Sequence, residues 1–216
     1  MTRHTSRSGW TPDHDKIRSV QKAMIRDIPI LALTPGEPAG VGPECVIRLA
    51  IEHPELRLLA VADPDLLAAA ARRLEVDIAI EPWQPGDPVH AGKLSCHPLP
   101  LAAAVTPGAP DPANAAYVVD TIRTAVRLVR AGHASALVTG PVNKAVINDG
   151  GIAFSGHTEL LAQLAGREKV VMMLAAGRLR VALVTTHLPL RDVPDAISFN
   201  NVRETVRITH LELRTR

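Results

Sequence analysis

Four side chains sit where they could do chemistry: His157 and Thr158 directly after Gly156, His187 at the end of an apolar run, and Lys144 behind Gly140 and Pro141. The apolar Leu160, Leu161 and Leu164 place a helix start close to His157. A helix start offers unbonded backbone N–H groups and partial positive charge, which suits a phosphate or carboxylate. Alternatively, Ser155 or Thr158 serves there only as the N-cap. His187 closes the run Val181 to Thr186 and is expected at the carboxyl edge of a buried strand. It is either a structural imidazole or a metal ligand, and imidazole holds a metal only with partner ligands. Lys144 follows the apolar run Ser135 to Thr139. A lysine just past a parallel strand can hold a substrate anion or support proton transfer, or it is simply a solvated lysine near a helix start. Asn143, Asn148 and Asp149 either orient that site or only favour turns.

The elements that must position these groups alternate between strand and helix. Strands are expected at Ile30–Thr34, Leu56–Ala62, Val76–Ile80 and Ser135–Thr139, with helices after Pro43 and over Pro64–Leu74. That alternation points to an α/β protein with a mixed, mostly parallel sheet and flanking helices. Pro35 to Pro43 makes a rigid loop in which the glycines either admit a ligand or allow a tight turn, and its prolines rule out the dinucleotide-binding Gly-x-Gly-x-x-Gly pattern. From Glu81 to Pro112 the prolines suggest an edge or crossing region around a short strand near Lys93–His97, with His90 and His97 solvated. A long helix follows Asp111–Asn114 and ends at Gly132, with Arg123, Arg127 and Arg130 on a solvated face. Val170–Leu174 and Leu179–Thr185 flank a turn short enough for a hairpin, which makes Met172 and Met173 core fillers. An Asn near Asn201 is expected to cap a last helix with Val202, Val206, Thr209 and Leu213 on one stripe.

Composition excludes several functions. Of the 216 residues 46% are hydrophobic, enough for a sizeable core, while a net charge of +2 and an aromatic content of 2% argue against nucleic-acid binding. No segment approaches a membrane span of about 18 apolar residues. Cys45 and Cys96 lack metal-type spacing and fit a reduced, cytoplasmic protein. Residues 1–27 lack periodic apolar positions and are expected to form a disordered extension ahead of a folded portion over residues 28–216.

Three blocks carry a family resemblance: Thr34–Glu44, Leu137–Lys144 with Ile147–Asp149, and Gly156–Glu159 through Val170–Leu174 to Thr185–Asp192. With these in order, the chain from about Ile30 onward resembles the 4-hydroxythreonine-4-phosphate dehydrogenase family of vitamin B6 biosynthesis. The resemblance implies the front portion of a two-domain isocitrate/isopropylmalate dehydrogenase-like fold. It implies oxidation of a small phosphorylated hydroxy amino acid with NAD, or NADP, and a divalent metal such as zinc, magnesium or cobalt. His187 then matches one of three metal-binding histidines, His157 and Thr158 match substrate contacts, and Lys144 is the catalytic candidate, with the cofactor contacts unassigned. A homodimer with a shared active site is also implied. The family's other two metal-binding histidines and later Lys, Asn and Arg substrate contacts lie in motifs that this sequence, ending at Arg216, does not contain. The expectation is a C-terminally truncated chain, inactive alone. Related members act on other phosphorylated four-carbon acids or dihydrodiol dicarboxylates, and a non-catalytic remnant that acts as an interaction protein is the remaining reading.

Overall fold

The computed structural model describes residues 28–215, which form two compact units divided between Phe154 and Ser155. The expected extension, residues 1–27, lies outside the described residues.

The first unit is built on β1 (Ile30–Thr34), α1 (Gly42–Glu52), β2 (Arg57–Ala62), α2 (Pro64–Arg73), β3 (Ile80–Pro82), β4 (Leu94–Pro98), α3 (Ala115–Arg130), β5 (Ala136–Thr139) and α4 (Lys144–Asp149). Its five strands pair in the order β3-β4-β2-β1-β5, every pair parallel. Alternate residues of a strand face opposite sides of a sheet, so each strand here feeds two cores. Leu33, Leu58, Ala60, Leu94 and Cys96 pack with Val46 and Ile47 of α1 and Leu67 and Ala70 of α2. Their neighbours Ala32, Leu59 and Val61 pack on the other side with Trp83 and with Ala125 and Leu128 of α3. Apolar burial on both faces is the pattern of a parallel sheet between helical layers.

Local chemistry places the helix starts. Asp63 caps α2, its Oδ1 accepting from the amides of Asp65 and Leu66 at 2.8 and 3.2 Å, while its Oδ2 accepts from the Leu101 amide at 3.0 Å. The Tyr117 hydroxyl accepts the Asp63 N–H, and burial holds that phenol well above its usual range. Burial likewise pushes the Cys96 thiol up to about 12, so this cysteine is an inert core residue, whereas Cys45 is exposed.

Several expectations need correction. The strand expected at Val76–Ile80 begins only at Ile80, because Glu75 turns through a left-handed φ of 55° and the Val76 amide bonds back to Ala71. β4 lies inside the sheet between β3 and β2, so the edge is β3. His97 is therefore only partly exposed: its Nδ1 is buried and its ring meets Trp83 edge-on at 6.0 Å, whereas His90 is exposed as expected. β5 lies at the other end of this sheet and is only half-buried, with Val138 45% exposed.

The second unit contains α5 (His157–Ala165), β6 (Met173–Ala176), β7 (Leu179–Ala182), a 3-10 turn at Leu190–Asp192, α6 (Val193–Ala196) and α7 (Phe199–Thr215). β6 and β7 form an antiparallel hairpin as a separate two-stranded sheet, with Gly177 at φ 55° in its turn. Met172 and Met173 are half-buried. Ser198 caps α7, its Oγ accepting from the Asn201 amide at 3.2 Å; Asn201 itself reaches back to the Ala196 carbonyl. The stripe Val202, Val206 and Leu213 is exposed by 38, 61 and 52%.

Candidate active site

The carboxyl ends of β1 and β5 lie side by side, with Thr34 paired to Thr139. Strand order diverges at β1: β2 is reached over the α1 face and β5 over the α3 face. In open α/β sheets ligands bind at the strands' carboxyl ends beside such a divergence. Two of the sequence blocks meet there. The Gly140 amide donates to the Thr34 carbonyl at 2.7 Å, and the Glu37 amide donates to the Pro141 carbonyl at 2.9 Å.

The glycines of these loops serve that interlock. A Cβ at Gly36 would strike the Pro141 carbonyl, and one at Gly42 or Gly140 would strike the Pro35 carbonyl. The space a side chain would need is filled by protein, so the tight-turn reading holds and these glycines do not form a ligand cradle. Gly36 also has a φ of +80° with those backbone atoms in the way, whereas Gly151 has the same φ and nothing within 4 Å of where a Cβ would stand. Gly151→Ala is expected to cost about 1–2 kcal/mol from the left-handed backbone alone. Gly36→Ala adds overpacking against rigid backbone and is expected to cost about 3 kcal/mol or more in total. Urea unfolding of both variants checks this, and equal losses would mean that the two loops do not lock one another.

Glu37 is a charged residue that sequence reading passed over. It is only 7% exposed, its Oε1 accepts from the Ala39 amide at 3.2 Å, and its carbonyl accepts from Gly40 at 3.0 Å. The available signal was a lone acid among Pro35, Gly36, Pro38 and Gly40, where solvated loops seldom need so stiff a frame.

Lys144 opens α4 and is exposed. The helix is started by Asn143, whose Oδ1 accepts from the amides of Ala145 and Val146 at 3.1 and 3.3 Å. The Asn148 carboxamide donates to the Lys144 carbonyl at 2.7 Å. The two asparagines thus hold the backbone around Lys144.

In the second unit α5 begins at His157 with Gly156 as N-cap and no capping side chain. The reading in which Ser155 or Thr158 caps this helix does not hold, because glycine occupies the cap position. His157 and Thr158 are half-buried on the first turn, with Glu159 beside them.

His187 departs from its expected setting. β7 ends at Ala182 and its residues are largely exposed, so His187 follows five residues later in a loop and is itself exposed. The apolar run reads as buried, but the hairpin has no third strand among the described residues to cover it. His187 instead has a φ of 59°, a left-handed backbone that only it and Glu75 adopt among the described non-glycine residues. Such a conformation is uncommon outside glycine, though Asn, Asp and His tolerate it best, and it clusters at functional sites.

Lys144 belongs to the first unit, and His157, Thr158 and His187 belong to the second. Among the described residues no three His, Cys, Asp or Glu side chains converge as a metal site. His187 alone does not fit a divalent metal, which takes at least three protein ligands in a catalytic zinc site.

The family described as pyridoxal phosphate biosynthetic protein PdxA matches residues 55–216. A 4-hydroxythreonine-4-phosphate dehydrogenase of Chromobacterium violaceum is 48% identical over 188 residues, covering 87% of this chain and 57% of the relative. One from Xanthomonas oryzae pv. oryzae is 51% identical over 189 residues, with 87% and 58% covered. A crystal structure of the Klebsiella pneumoniae enzyme of that name superposes with a TM-score of 0.78 at 25% identity, over 87% of this chain and 59% of that one. The chain thus spans 57–58% of the length of the curated relatives described here.

Proposed function

Because the chain belongs to the PdxA family of pyridoxal phosphate biosynthetic proteins, we propose that it supplies substrate- and metal-binding residues for the NAD-dependent oxidation of 4-hydroxythreonine 4-phosphate. In that reaction the secondary alcohol becomes a 3-oxo acid, which loses carbon dioxide to give 3-amino-2-oxopropyl phosphate. NAD, or NADP, takes the hydride. Among the observations on this chain, the one that carries the reading is His187, presented on an exposed loop in a left-handed conformation of the kind that clusters at functional sites.

The residues divide the work. The first turn of α5 offers the positive end of a helix to a substrate anion, and His157 and Thr158 add side-chain donors beside it. Lys144 holds a substrate anion or moves a proton near the carboxyl end of β5. His187 would be one metal ligand, with the others supplied by a second copy of the chain or by residues outside those described. A second copy of the chain is the partner we place against the second unit's apolar surfaces. One face of the hairpin carries Leu174 opposite Val181 and Leu179 opposite Ala176, with Leu174 and Leu179 59 and 65% exposed. Isolated two-stranded sheets are marginal in water and gain stability from such cover. Among the described residues no helix is long and apolar enough to cross a membrane, and we place the protein in the cytoplasm.

The test continues this chain with the later portion of the Chromobacterium violaceum relative and follows NADH formation from 4-hydroxythreonine 4-phosphate. His157→Ala is expected to raise KM at least tenfold, about 1.4 kcal/mol, with a smaller change in kcat, because the imidazole binds substrate without joining the hydride transfer. An unchanged KM would remove His157 from the substrate site.

A further inference from the structure

The segment between Lys144 and His157 contains a side-chain device that the family assignment does not mention. α4 is only six residues long and ends at Asp149. Gly150 seats it tightly, since a Cβ there would strike the Ala115 side chain and the Pro112 carbonyl. The backbone then turns back on itself, with the Gly151 amide bonded to the Asn148 carbonyl at 2.9 Å and the Ile152 amide to the Ile147 carbonyl at 3.3 Å. Beyond that turn comes Phe154, 7% exposed and the last residue of the first unit.

Asn148 grips Phe154 by both of its backbone groups. Oδ1 accepts from the Phe154 amide at 3.0 Å, and Nδ2 donates to the Phe154 carbonyl at 3.1 Å. The carboxamide thereby imitates the peptide of an adjacent strand. The same Nδ2 donates to the Lys144 carbonyl at 2.7 Å. One side chain thus ties the helix start that carries Lys144 to the residue where the chain leaves the first unit. Only an amide of this length serves. An aspartate would set a carboxylate oxygen against two carbonyls, and alanine would leave the Phe154 amide and both carbonyls without this partner.

We propose that Asn148 is a positioning residue, which fixes the end of the first unit at Phe154 and so sets where the chain departs, three residues ahead of His157. The consequence for ligand binding rests on the role given to His157 above; the clamp itself does not. Its structural signature is local. The Ile152 amide is held by backbone alone, whereas the Phe154 amide is held by the Asn148 side chain, so loss of the clamp must separate two amides that a general loss of stability would expose together.

The experiment is residue-resolved amide exchange on the 216-residue chain. In the parent protein the Phe154 amide is expected to exchange at least tenfold more slowly than its unstructured rate; exchange at the unstructured rate would overturn the proposal without any variant. In Asn148→Ala, Phe154 is expected to lose at least tenfold in protection while Ile152 and the amides of β1 and β2 keep theirs, and chymotrypsin should cut after Phe154 at least tenfold faster. Equal loss at Ile152 and Phe154, or no loss at Phe154, would overturn it. Should Asn148→Ala fail to fold, Asn148→Leu, of similar size but with neither the acceptor for the Phe154 amide nor the donor, must show the same selective loss. These readouts need no turnover, so a failure of the dehydrogenase reading leaves them unchanged and a failure of the clamp leaves that reading open.

Discussion

The 216-residue chain alone, supplied with NAD, 4-hydroxythreonine 4-phosphate and zinc, cobalt or magnesium, is expected to form no measurable NADH. No three metal-binding side chains converge among the described residues, and His187 would share a metal only with water or stray carboxylates. Such a site lacks the ligands that fix coordination geometry and stabilise developing negative charge on the substrate oxygen. Each 1.4 kcal/mol or so of lost transition-state stabilisation is about tenfold in rate, and orientation and charge stabilisation are lost together. The exposed stripe Val202, Val206 and Leu213 on α7 should also make the isolated chain self-associate. The check is NADH formation by the purified chain beside the same chain continued with the later portion of a relative. Metal-dependent turnover by the 216-residue chain at an enzyme-like rate would show that it holds a sufficient metal site by itself.

How much was readable in the sequence depended on whether a feature is local. β1, the Pro35–Pro43 loop and α1 were legible because an apolar run, clustered Pro and Gly, and a 3.6-residue pattern are each encoded by neighbours in sequence. The start of β3 was misplaced because Val76 and Ile78 do pack against the core, as partly buried residues, but the left-handed Glu75 delays strand pairing until Ile80. His97 was misread because its neighbours Pro98 and Pro100 suggest an edge, while its burial depends on Trp83, which is 14 residues away in sequence. The run before His187 looked buried because periodicity reports an apolar strand without saying whether anything covers it. The motif blocks could be read from sequence, and Lys144, His157, Thr158 and His187 are proposed from it. The interlock of Gly36 and Gly140 with the opposing loop, and the left-handed backbone of His187, are long-range or conformational and could not be read there.

His187 carries the largest expected effect of a single substitution. Its φ of 59° costs a non-glycine residue about 1–2 kcal/mol. His187→Ala removes the imidazole and keeps the strain, whereas His187→Gly removes both. If His187 is a metal ligand, the two substitutions must weaken metal binding alike, although glycine relieves the backbone and alanine does not. Loss of an outer partner of a metal ligand costs about 10–100-fold in affinity, so loss of the ligand itself is expected to cost upwards of about 100-fold, with partial rescue by excess metal. Neither should unfold the protein, because the exposed side chain packs against little. The decisive measurement is a chelator-competition titration of zinc into the chain continued with the later portion of the Chromobacterium violaceum relative, in parent, His187→Ala and His187→Gly forms. The account predicts a loss of affinity of at least about 100-fold in both variants with their fold intact; zinc binding by His187→Ala as tight as the parent's would contradict it.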